Sequence, residues 1–199
     1  MSDIFIYGAS GHGEVVSDVA KACGYKNIIF IDDGKSNFQS FEDVKSQNHI
    51  PIAFGIGENR TRKKLFQNAE NSFFEIVTLI HPSAVISSTC SIGIGSVIMP
   101  NVVVNAHSKI AKGVILNSSC VIEHDNIIEN FVHISPNVSL AGNVTIKELS
   151  HIGIGSSVIQ GLEIGAKCIV GAGSVVVRNI KSGVVAYGNP CKIVKEIHE

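Results

Sequence analysis

From Ile80 to Val176 an aliphatic residue returns at every sixth position without slippage: Ile80, Ile86, Ile92, Ile98, Val104, and onward through Ile122, Ile134, Ile152 and Val170. Two places before each, the residue is usually small or β-branched, as at Ala84, Cys90, Ser96, Cys120, Val132, Ser156, Cys168 and Ser174. A helix would need returns at three and four, and a plain strand would need strict alternation. A step of six with a second inward residue two places earlier predicts very short strands separated by turns, both inward positions sharing one face. The first 79 residues follow a different pattern. "IFIY" reads as a buried strand, "GASGHG" as a tight turn, "EVVSDVAKACGY" as an amphipathic helix and "IIFI" as a second strand ending at Asp32 and Asp33. "IPIAFGIG" predicts a third strand, "ENRTRKKLFQNAEN" a second helix and "FFEIVTLI" a fourth strand leading into the first hexad.

The second half resembles the hexapeptide repeat of the left-handed parallel β-helix, in which three hexads close one triangular coil; "IGIGSV", "IGIGSS" and "VGAGSV" carry the glycine that commonly follows the aliphatic residue. The expected organisation is an α/β, Rossmann-like domain at 1–79, an all-β left-handed β-helix at 80–182 and a C-terminal tail at 183–199. Cys90, Cys120 and Cys168 fall in the small inward slot and read as core filler.

A chain of 199 residues with 45% hydrophobic content can bury a proper core, and a net charge of −1 gives no electrostatic reason to expect nucleic acid or an anionic membrane as partner. The five cysteines are widely spaced with no C-x-x-C, which argues against a disulfide framework and a zinc knuckle, and no metal is expected. "MSDIFIYG" lacks the basic-then-apolar layout of a signal peptide, and no apolar run reaches membrane-spanning length, so a cytoplasmic location is expected.

Candidate chemistry sits in two places. The glycine order of the first turn is G-x-x-G-x-G (Gly8, Gly11, Gly13), not the dinucleotide fingerprint, with Asp32 and Asp33 about 20 residues further on. One reading is steric: the glycines permit a sharp strand-to-helix turn. The other is functional: the helix N-terminus receives a phosphate or polar nucleotide group, and the two aspartates accept hydrogen bonds from ribose or base. Alone this would suggest a nicotinamide oxidoreductase, but the attached β-helix leaves no second catalytic domain. The other place is "CVIEHDNIIENFVHIS", where Glu123, His124, Asp125 and His133 interrupt the aliphatic ladder. Because Val132 and Ile134 point inward, His133 points out, and His124 with Asp125 falls in a turn. An outer face is normally solvated, so surface histidines are the plain expectation. His133 and His151 are 18 residues apart, one full coil, and should stack about 4.8 Å apart.

The whole chain, through "YGASGHG", "IDD", "GIGENRTRKK", "ILNSSCVIEHDNIIENFVHIS" and "GAGSVVVRNIKSGVVAYGNP", resembles one branch of the hexapeptide acyltransferases. That branch holds the UDP-4-amino-sugar N-acetyltransferase of the bacillosamine pathway and the bacterial sialic acid O-acetyltransferases. The resemblance implies a homotrimer with active sites in grooves between β-helices, acetyl-CoA as donor and a UDP-linked amino-sugar as acceptor. It implies His124 as catalytic base with Asp125, where the N-acetyltransferase usually has Glu, as its carboxylate partner. It also implies acetyl-CoA contacts at His133, Ile154 and Ala172, and acceptor contacts at Ser10, Gly11, His12, Asp32, Asp33 and Gly57, with Asn117 nearby. Sialic acid O-acetylation is the nearest competing expectation, and a non-catalytic nucleotide-sugar-binding scaffold the next. His49, His81, His107, His151 and His198 receive no role; His81, His107 and His151 are expected to be exposed.

Overall fold

The structure, a computed structural model, describes residues 3–197. His198 therefore lies outside the described residues.

Strand β1 (Asp3–Tyr7), helix α1 (Gly11–Ala22), strand β2 (Asn27–Ile31), short helix α2 (Phe41–Val44), strand β3 (Ile52–Phe54) and helix α3 (Asn59–Asn71) build the first half. The three strands are parallel in the order β2-β1-β3, so chain direction across the sheet reverses beside β1. Such a switch point opens a crevice at the carboxyl ends of the strands. Here that crevice lies between the loop after Tyr7 and the loop after Phe54. Close packing at this point needs glycine: a Cβ on Gly13 would sit 1.9 Å from the Gly8 carbonyl oxygen, and one on Gly55 would sit 2.6 Å from Gly13 Cα. A Cβ on Gly11 meets nothing within 4 Å, so the steric reading covers Gly13 and leaves Gly11 open to a ligand. The expected fourth strand shrinks to one bridge, Ile52 to Ile76, because Phe73 enters at φ +59° and the chain crosses to the β-helix.

The hexads form seventeen two-residue strands from Leu79–Ile80 to Val175–Val176, and the fold is the expected left-handed parallel β-helix. Its first face stacks the strands ending at Ile80, Ile98, Leu116, Ile134, Ile152 and Val170; its second, those ending at Ile86, Val104, Ile122, Leu140, Val158 and Val176. The third face runs from Ile92 to Ile164. Residues 184–187 and 192–196 then add two strands to the end of the first face. Inward serines fit the hydrocarbon interior because the repeat supplies partners for them. Ser96, Ser108, Ser150 and Ser156 each donate to a carbonyl 15 residues on and accept from an N–H 18 residues on.

The first half rests on the first face. Val16 and Val19 of α1 share one core with Leu79 and Val97, while Phe66 of α3 meets Phe131 edge-on at 5.3 Å. Phe131 (φ +56°) and Leu149 (φ +62°) are large residues in left-handed corner positions, a conformation that costs energy for bulky side chains. Burial against α3 offsets that cost, since Phe131 is 2% exposed.

Candidate active site

His133 and His151 do point away from the prism and stack with ring centroids 4.6 Å apart. The solvated-surface expectation fails for both, because the first half covers this face: His133 is 8% exposed and His151 is half-buried. Each ring is held by a polar residue one coil earlier. Asn117 Nδ2 lies 3.3 Å from His133 Nε2, and Ser135 Oγ lies 2.8 Å from His151 Nε2.

These contacts settle the state of His133. The Asn117 Oδ1 accepts from the Ser118 N–H at 2.8 Å, so its amide nitrogen faces the ring and donates to Nε2. The remaining ring nitrogen, Nδ1–H, donates to the Gly57 carbonyl at 3.1 Å. A protonated ring would set Nε2–H against the Asn117 donor. Burial foremost, then the charges of His151 and Arg62, also hold the group down to about 3 from an ordinary 6.5. His12, 6.1 Å away across the crevice, is lowered to about 4 by burial and by Arg62, and its Nε2 is buried without a hydrogen-bond partner among the described residues.

The first-half candidates converge here. Gly57 sits between the two imidazoles: a Cβ on it would be 3.9 Å from both the His12 and His133 rings. Ser10 caps α1 with no side-chain bond, leaving the first-turn N–H groups without a side-chain acceptor from Ser10. Asp32 and Asp33 line an adjoining cavity of about 220 Å³ with Tyr7, Gly8, Gly34, Ile56, Thr61 and Leu65. Their oxygens already carry internal bonds. Asp32 accepts from the Ala9 and Gly34 N–H groups, and Asp33 from the Phe41 N–H and the Tyr7 hydroxyl. The pair therefore shapes the turn, and ligand bonds would use the lone pairs that are left.

His124 and Asp125 are elsewhere. They follow the second-face strand Val121–Ile122, at the corner leading to the third face, whereas His133 is on the first. Asp125 takes the left-handed corner conformation (φ +59°), and its Oδ2 accepts from His124 Nδ1 at 2.8 Å, leaving Nε2 as the acceptor of the neutral ring. The ring lies over Gly142, where a Cβ would come within 2.5 Å of Cε1. Beside it the second face carries a shallow groove lined by Val121, Glu123, Ser139, Ala141, Ile159 and Gln160. Ile154 and Ala172 are exposed on the corner between the first and second faces, where the Gly173 N–H, next to Ala172, donates to the Ile154 carbonyl at 2.8 Å.

Sequence reasoning passed over three residues. Ser108 and Asn126 are buried inside the prism and both donate to the Glu123 carbonyl, at 2.7 and 2.6 Å, fixing the turn that carries His124. The third is Arg62, 1% exposed, which joins the two halves. Its signal was legible: the buried stripe of α3 is Asn59, Arg62, Phe66 and Ala69, a helical spacing whose first two members are polar. Among the described residues no cluster of His, Cys, Asp and Glu could hold a metal ion, and no helix is long and apolar enough to cross a membrane.

Residues 3–69 match the PglD N-terminal domain family. The UDP-N-acetylbacillosamine N-acetyltransferase of Bacillus subtilis (strain 168) is 36% identical over 112 residues, 49% of this chain and 51% of that protein. That match spans about half the length of this curated relative. A histidine-to-alanine variant of the GDP-perosamine N-acetyltransferase of Caulobacter crescentus, solved in complex with CoA and GDP-perosamine, superposes with a TM-score of 0.94 at 34% identity, covering 98% of this chain and 97% of that one. The acetyltransferase domain of PglB from Neisseria gonorrhoeae FA1090, in complex with acetyl coenzyme A, gives 0.90 at 37% identity over 96% and 98%. With both halves matched in order along nearly all its length, the chain belongs to the hexapeptide-repeat sugar acetyltransferases, in the branch that contains the bacillosamine-pathway N-acetyltransferase.

Proposed function

We propose that this protein transfers the acetyl group of acetyl-CoA to the amino group of a nucleotide-linked amino-dideoxy sugar, with His124 as general base. The observation that carries the reading is the His124 corner. Asp125 fixes Nδ1–H, the missing side chain of Gly142 seats the ring, and Nε2 is left to accept a proton beside the groove. A sugar amine is largely protonated near neutral pH; it must give one proton to solvent before its lone pair can attack the thioester carbon, and a second as the C–N bond forms. An imidazole is suited to take it, and Asp125 favours the imidazolium that forms. The nitrogen lone pair forms the amide bond, the C–S bond breaks, and the His124 imidazolium returns its proton to the sulfur, so that CoA leaves as the thiol and the base is restored. Ser10, Gly11, His12, Asp32, Asp33 and Gly57 would hold the nucleotide-sugar, and His133, Ile154 and Ala172 the coenzyme, with Asn117 positioning His133. Acetyl-CoA is a cytosolic metabolite, which favours a cytoplasmic location.

The acceptor-side crevice and His124 lie on opposite sides of one prism, so a complete site needs a second copy. The second face offers the surface for it. Its outward column runs Val85, Val103, Val121, Ser139, Ser157 and Val175, with Val85 64% exposed, while the Glu129–Lys147–Glu163 charge ladder lies along the third face. The apolar end of that column, Val85 to Val121, is suited to cover by another copy, and a closed ring of three repeats one such contact. The reading rests on a homotrimer, checked by sedimentation.

The deciding assay measures thiol release from acetyl-CoA against UDP- and GDP-linked 4-amino-sugars and free sialic acid. Turnover is expected with an amino-sugar nucleotide. Release only with sialic acid would move the reading to O-acetylation, and none with any acceptor would leave a binding scaffold.

A further inference from the structure

Arg62 is a cation sealed between two halves of the molecule, and among the described residues no carboxylate lies within ion-pair distance of it. Its partners are carbonyls and one amide. Nε donates to Gly113 at 2.8 Å; Nη1 donates to Ile56 and Gly57, both at 3.1 Å; Nη2 donates to Asn59 Oδ1 at 2.8 Å and Phe131 at 2.9 Å. Two of these carbonyls belong to the loop after β3, and two to corners of the β-helix. Asn59 extends the clasp by donating to the Leu149 and Ser150 carbonyls at 3.0 and 3.1 Å. The charge of Glu58 favours the cation without touching it, and a buried charge with no ion-pair contact is expensive unless its donors are satisfied, which a planar five-donor fork can do. Surface pairs such as Lys63–Glu148 would join two domains at lower cost, so this fork has a further use.

That use is read from Gly57. Its carbonyl accepts from Arg62 Nη1 and from His133 Nδ1–H together. We propose that Arg62 is a positioning residue of the acyl-transfer site: through the Gly57 carbonyl it fixes the orientation of His133, whose tautomer Asn117 sets, and through its other bonds it holds the acceptor-binding crevice in register with the β-helix. The inference deepens the acetyltransferase reading above and rests on it for its kinetic consequence. Arg62 touches neither ligand. The two substrates are gripped by different halves, so an error in register weakens each binding modestly, through Gly57 or His133, and harms their encounter more.

The test is Arg62→Lys, which keeps the charge and loses the fork. With ¹⁵N-histidine labelling, wild-type His133 is expected to show a slowly exchanging Nδ1–H bonded to the Gly57 carbonyl, and the variant the same tautomer with that proton exchanging about tenfold faster or more. CoA and nucleotide-sugar should each still bind the variant at one per chain, weakened by about three- to tenfold, while kcat falls further, about ten- to a hundredfold. A folded variant whose Nδ1–H exchanges as slowly as in wild type, or with kcat within twofold of wild type, overturns the proposal. Should Arg62→Lys fail to fold, Asn59→Ala serves: it removes one acceptor of the guanidinium and leaves the others. The same faster exchange and a smaller fall in kcat are expected, and an unchanged exchange rate or kcat overturns the proposal. If the wild type acetylates no amino-sugar nucleotide, the functional reading falls by itself, and the exchange measurement still decides what Arg62 does.

Discussion

His124 and His133 are nine residues apart on one repeat, yet they occupy opposite kinds of surroundings. His124 stands at an exposed corner with one side-chain partner, Asp125, and a glycine beneath its ring. His133 is roofed by the first half of the chain, bonded at both nitrogens and stacked on His151. A proton acceptor needs an open nitrogen that can be charged in passing, and His124 has one. A ring locked neutral between two donor–acceptor contacts cannot serve that way, but it can present a fixed shape and polarity to a ligand. The same residue type is thus set to two tasks by what covers it.

The comparison breaks most severely at the open histidine. His124→Ala should lower turnover by about 10² to 10⁴ while leaving acetyl-CoA binding intact, measured by thiol release and by titration calorimetry. Wild-type-like turnover would remove His124 from the chemistry.

The locked histidine predicts an acid effect of definite sign. His133 is held near 3 in the folded chain against about 6.5 unfolded, so between those values the unfolded chain binds more protons. The stability this represents is fully present above pH 6.5 and drains away as pH falls towards 3. For one group it amounts to at most about 3 kcal/mol by pH 4. His12, lowered to about 4, acts in the same direction. Replacing His133 by Asn should flatten the fall in stability between pH 7 and pH 4 in urea melts, whatever it does to stability at neutral pH. An equally steep fall would mean that His133 is not the buried neutral group described.

A smaller change sharpens the contrast from beneath the ring. Gly142→Ala pushes a methyl into the seat of His124 and should cost about ten- to a hundredfold in kcat, with the thermal midpoint shifted little. If kcat and the midpoint fell in proportion, the glycine would serve packing and not the base. The least effect is expected at the rim of the covered seam. Lys63→Ala removes the Lys63–Glu148 pair, about one-third exposed on both sides, and should cost under about 1 kcal/mol by denaturant titration. A larger loss would shift the weight of the domain contact from Arg62 to its edge.

The six-step ladder made the prism, the inward cysteines and the His133–His151 stack legible, because a coil of three hexads fixes which side chains align. The resemblance in "EHD" named His124, and the glycine order marked the turn at Gly11. Burial of His133 was not legible: its own strand says only that it faces outward, and what lies there depends on α1 and α3, more than 60 residues away in sequence. Arg62 escaped because a search for apolar periodicity discards a polar member of the stripe. Asp32 and Asp33 looked like ligand acceptors, while the fold already engages their oxygens with four protein donors.

By itself the sequence determined the repeat, its inward and outward sides and the corner on which His124 stands, since these follow from the period of a strand and the volume of a side chain. Only the tertiary structure decided which outward face is covered, which imidazole is held neutral and how one guanidinium ties two halves together. Those are consequences of dielectric and of donors brought from distant segments, and neither is written in the order of neighbouring residues.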